Sequence, residues 1–129
     1  MVFKNKKYIK YTWKHKIAFL KVEKIVLGKN TIRGYLHDTE KLFLYLFLPK
    51  KTVSRIHRSM SRHHVKRART ESDFTQMMID WECARFTKAD KPLDAYETLY
   101  KFYPQLQDKM IPLFQKYKIK EKMESISKL

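Results

Sequence analysis

The chain has 129 residues, which supports one domain with a real core and is too short for two comfortable ones. Two glycines and four prolines leave little material for β-turns, the single cysteine excludes an internal disulfide, and no apolar run approaches the roughly 20 residues of a membrane crossing. The expectation is therefore one all-α domain, a compact bundle of about five to six helices without a membrane span, in a reducing, cytoplasmic setting. Residues 1–70 hold 19 Lys+Arg against 3 acids, while residues 71–129 hold 10 of each, so the whole formal net charge of +16 lies in the first half. A field of that strength favours an anionic partner: a nucleotide or phosphoester, nucleic acid, or an anionic membrane surface.

Residues 1–7 are polar, basic and expected to fray. From about residue 8 to 27, Tyr8, Tyr11, Ala18, Val22 and Ile25 recur at helical spacing, His15 falls on the same stripe, and Gly28 is a natural stop. A lone histidine on such a face is ordinarily a hydrogen-bonded core residue. The next run, Ile32 to Leu48, can be capped by Asn30 or Thr31 and is ended by Pro49. Phe43, Leu44, Leu46, Phe47 and Leu48 make it apolar nearly all round, which predicts a central, well-buried helix. On that helix His37 and Lys41 would stand at i and i+4 on one face, bordered by Asp38.

Residues 50–69 carry eight Lys/Arg and no acid, with Val53, Ile56, Met60 and His64 at helical spacing and His57 on their edge. In a straight helix His57 and His64 lie about 10 Å apart along the axis, too far for one metal. Such a charge run is ordinarily a solvated face; it also offers Arg55, Arg58, Arg62, Lys66 and Arg67 for anion binding. Thr70-x-x-Asp73 resembles a capping box and opens a helix through about Thr87, with Phe74, Met77, Met78, Trp81 and Ala84 facing inward and Cys83 a buried thiol. Asp80 sits at the edge of that face and needs a cation or donors to offset its desolvation; a neighbouring Lys or Trp would serve as well as a metal. Helices from Lys91-Pro92 to about Tyr103 and from Pro104 to about Tyr117 follow, and 118–129 is charged and peripheral.

In order, the chemistry-bearing residues read H…HD…H…HH…D. Imidazole and carboxylate together suit Fe, Mn, Co, Ni or Zn, and the lack of a Cys cluster argues against a structural zinc finger. His15, His37, Asp38 and Asp80 are the candidate ligands of one divalent ion, with open positions for metal-assisted hydrolysis. Asp38 and Lys41 are the candidate catalytic groups, while His57, His63 and His64 with Lys41 are candidates for a second metal or a phosphate.

The order H…HD…D, with Gly34-Tyr35-Leu36-His37-Asp38-Thr39-Glu40-Lys41 around the pair, resembles the HD-domain superfamily of helical metal-dependent phosphohydrolases. The chain is also similar to a family of small bacterial and phage proteins of unknown function. That family shares Y-I-x-Y-T-x-x-H-K (Tyr8 to Lys16), R-G-x-x-H-D (Arg33 to Asp38), H-x5-H-H (His57 to His64) and M-x-x-D-W (Met77 to Trp81). The resemblance implies an HD-like helical fold and a metal-dependent phosphohydrolase. One metal is expected, with His57, His63 and His64 marking room for a second. Ser61-Arg62 stands where the relatives tend to have Asn-Pro. Two other readings are a small basic module that binds nucleic acid through residues 50–69, and an HD-like scaffold with a binding or inhibitory role.

Overall fold

The computed structural model describes residues 5–60, 68–87 and 93–127, and among these the chain is helical with no strand. The helices are α1 (Lys6–Leu27), α2 (Ile32–Leu36), α3 (Thr39–Tyr45), α4 (Lys50–Met60), α5 (Glu71–Thr87), α6 (Ala95–Phe102), α7 (Gln107–Lys116) and α8 (Ile119–Ser127). A 3-10 turn, Pro104–Leu106, leads into α7. None is long and apolar enough to cross a membrane.

α1 runs where its apolar stripe predicts and ends at Gly28, whose φ of 80° is the left-handed cap that only glycine adopts without strain. It buries Phe19, Val22 and Val26 against Met77, Met78, Ile79 and Cys83 of α5. Ala95, Leu99, Met110, Leu113, Phe114, Ile119 and Met123 close the same core from α6, α7 and α8. Each fully buried Leu, Ile, Met or Phe side chain contributes about 1.5–3 kcal/mol relative to exposure. α5 is the central element: nine of its residues are buried, on all sides, and Thr70 and Asp73 form the expected reciprocal cap at its start.

Three expectations are corrected here. The run 32–48 is not one central helix. It breaks at His37–Asp38, and in α3 and the turn after it Phe43 and Phe47 are 64% and 70% exposed while Tyr45 alone is buried. The charged end is not peripheral through Ser127: Ile119 and Met123, four residues apart on α8, are inserted into the core. At the other end Asn5 is pinned, its amide donating to the carbonyls of Tyr45 at 2.9 Å and Leu48 at 2.6 Å. α6 begins at a capping box, Asp94 with Glu97, and the Lys91-Pro92 start expected for it lies outside the described residues.

Candidate metal centre

The break between α2 and α3 is built from α1. Glu23, fully buried, accepts from the Thr31 amide at 3.0 Å and from Thr31 Oγ1 at 2.7 Å, while Thr31 Oγ1 caps α2 by accepting from the Gly34 amide at 2.9 Å. Gly34 lies so close to the Glu23 carboxylate that a Cβ there would collide with it. Seven residues before Glu23, Lys16 donates to the carbonyls of Tyr35 and His37 and, at 2.9 Å, to Thr39 Oγ1. Burial pulls the Lys16 ammonium below its ordinary pKa, and the charges of Asp38 and Glu40 oppose that pull.

Held in this way, His37 is extended (φ −57°, ψ 126°) and Asp38 is left-handed (φ 58°, ψ 12°), a conformation that short polar side chains tolerate best after glycine. Asp38 occupies the N-cap position of α3 without capping it; its carboxylate turns to the histidines instead.

Asp80 from α5 completes the cluster. Its Oδ1 lies 2.8 Å from His15 Nε2 and 3.0 Å from His37 Nε2, and Asp38 Oδ2 lies 3.4 Å from His37 Nε2 and 3.8 Å from His15 Nε2. One donor atom from each of His15, His37, Asp38 and Asp80 falls within 4.8 Å of all the others, so these four could hold a metal ion. The imidazoles are braced from behind. His15 Nδ1 is 3.2 Å from Thr87 Oγ1, and the His37 ring stacks on Phe19 with centroids 3.8 Å apart. A donor hydrogen bond at Nδ1 leaves Nε2 as the ligating nitrogen, the usual arrangement around metal-bound imidazole.

The electrostatics follow from this crowding. Burial would raise the Asp80 pKa, yet its hydrogen bonds from His15 and His37 hold it well below the usual carboxylate range. Burial would lower His15, yet the hydrogen bond to Asp80 and the charges of Asp80 and Asp38 raise it.

His57 on α4 approaches Asp38 from the other side, its Nε2 2.9 Å from Asp38 Oδ1 and its Nδ1 hydrogen-bonded to Glu40. Despite burial these two carboxylates raise its pKa to about 9. Asp38, Glu40 and His57 form a second group able to hold an ion, and Asp38 belongs to both. The cluster floors a pocket of about 360 Å³ whose walls include Lys41, Tyr11, Trp81, Phe102 and Tyr103. The rings of Trp81 and Tyr103 are parallel within 4°, with centroids 5.1 Å apart.

Of the residues singled out from sequence, the structure brings together His15, His37, Asp38, Asp80, Lys41 and His57. Arg55 is exposed, two residues and so about 200° round α4 from His57, and does not line the pocket. Arg58 lies on the last turn of α4, where side chains are outside the description, and Arg62, His63, His64, Lys66 and Arg67 lie outside the described residues. Sequence reasoning missed Glu40, Lys16, Thr87 and the aromatic wall. Only Glu40, two residues from Asp38, carried a signal. Compared with known proteins, the chain matches no family model, no curated protein and no solved structure.

Proposed function

We propose that this protein is a metal-dependent phosphohydrolase of the HD type, acting on a nucleotide or another small phosphoester. The observation that carries the reading is the convergence of His15, His37, Asp38 and Asp80, from α1, the α2–α3 break and α5, on one point beside a pocket that Lys41 also lines.

The donor set suits a borderline divalent ion such as Fe, Mn, Co, Ni or Zn. Ligands about 2.1 Å from an ion stand about 3.0–3.4 Å from one another; the four imidazole–carboxylate spacings here run from 2.8 to 3.8 Å, and all the donor atoms lie within 4.8 Å of one another. Such an ion would act as a Lewis acid on a phosphoryl oxygen and would be held by four side chains, leaving room for substrate. Two imidazoles and two carboxylates also keep the site near neutral once loaded, so the phosphate is not repelled.

The chain's own residues supply the rest. The Lys41 ammonium at the pocket wall offsets phosphate charge as it builds toward the transition state. His57, protonated at neutral pH and hydrogen-bonded through both ring nitrogens to Asp38 and Glu40, adds a second positive group beside the pocket. Tyr11, Phe102 and the Trp81–Tyr103 pair offer flat faces suited to the base of a nucleotide.

The test is elemental analysis of protein purified without chelator or affinity metal, followed by a phosphatase screen with Mn added. Metal at near one ion per chain, with hydrolysis lost in His37→Ala and Asp38→Asn variants that still fold, is the expected result. A folded protein that takes up none of these ions in titration would overturn the reading.

A further inference from the structure

A second concavity shares no lining residue with the pocket above. It runs along the outer face of α1, against Phe86 at the end of α5 and Met123 of α8, and encloses about 570 Å³. Trp13, Ile17 and Phe86 converge on it while remaining 54%, 42% and 51% exposed. Single exposed apolar residues need no explanation, but a contiguous group lining one groove marks an interaction surface. Lys10, Lys14 and Lys21 rim the groove, all three are exposed, and among the described residues no carboxylate lines it.

The spacing of these residues identifies the occupant. Positions 10, 14, 17 and 21 fall on one helical stripe, so the lysines are strung over about 16 Å of α1 with Ile17 between them. One anionic headgroup meets one or two such ammoniums, not a row, and a bilayer presents a plane that would leave a concavity unfilled. An amphipathic helix satisfies both features: apolar residues at i, i+3/i+4 and i+7 fill the groove, and carboxylates on its flanks meet the lysines over about three turns. We propose that this groove docks an acidic amphipathic helix of a partner protein. The groove and the pocket share no lining residue, although Thr87 of the groove also lies 3.2 Å from His15 Nδ1, and none of the substitutions below touches Thr87.

The test uses the full chain and two fluorescein-labelled peptides of about 15 residues, read by fluorescence anisotropy. One carries Leu at i, i+4, i+7 and i+11 with Glu on the flanks; the other has the same composition scrambled, which keeps the charge and removes the apolar ridge. The patterned peptide is expected to bind roughly tenfold tighter or more. Trp13→Ala and Ile17→Ser, at exposed positions, should erase that preference, and Lys14→Glu with Lys21→Glu should weaken the patterned peptide and flatten its loss with salt. Circular dichroism confirms that each variant is folded.

Equal binding of the two peptides, or a preference that survives Ile17→Ser, would overturn the proposal. So would competition by phosphatidylglycerol vesicles that depends on the same residues, which would assign the groove to a lipid surface. A dimer in sedimentation that Ile17→Ser dissociates would assign it to a second copy of the chain, against the proposal.

Discussion

Asp73 and Asp80 lie seven residues apart on one helix, two turns along the same face, and both carboxyls titrate below their usual range, but the partners that cause this differ in kind. Asp73 accepts from the Arg69 and Thr70 amides at 2.9 and 3.0 Å and from the Arg33 guanidinium at 2.7 Å. Those are permanent donors, and they close a cap. Asp80 accepts from two imidazoles, groups that can exchange a proton for a metal. Of the two sets of partners, only the imidazoles could give way to a metal.

The largest effect expected is at the second of these. Asp80→Asn should lower affinity for Mn by more than about 100-fold, beyond the usual cost of losing an outer-shell partner, with hydrolysis lost in parallel and little change in Tm. Metal titration alongside thermal unfolding checks both halves. Asp73→Asn should do the reverse, costing about 2 kcal/mol in urea unfolding while leaving metal content intact.

Because Asp73 is held below its usual value of 3.8 by the amides and Arg33 despite burial, its stabilisation is present above that pH and is lost as the pH falls below it. The difference in unfolding free energy between wild type and Asp73→Asn should therefore be flat from pH 7 to about 5 and shrink below about 4.

A smaller effect is expected at Lys16, which touches no candidate ligand side chain through its donated bonds but holds the backbone that presents two of them. Lys16→Met should weaken metal binding by about tenfold, with Lys16→Arg restoring part of it. Smallest of all is Glu40, about half exposed: Glu40→Gln should cost less than about tenfold and lower the pKa of His57, seen by NMR titration.

What sequence could and could not reveal divides along the same line. His15 was legible because it shares a stripe with Tyr8, Tyr11 and Val22, and Asp80 because a carboxylate at the edge of an apolar face demands a partner. The all-helical class followed from the scarcity of glycine and proline. The break at Asp38 was not legible, since it is imposed by bonds from α1 that span 21 residues at Lys16 and 8 at Glu23, and local propensity favours a continuous helix there. Apolar composition alone could not tell that Phe43 and Phe47 face outward while the methionines of α5 face in. In α8, lysines and glutamates hid the pair Ile119 and Met123 that does the packing.

Lys16 and Glu23 together have a consequence for how this chain can vary. They are two feet of opposite sign, standing two turns apart on a rigid rod, and the His37–Asp38 corner hangs between them by backbone atoms. One alanine inserted between them would swing one foot about 100° round the rod and let go of one end of the corner. Length in α1 between residues 16 and 23 is thus fixed more strictly than the identity of most side chains there.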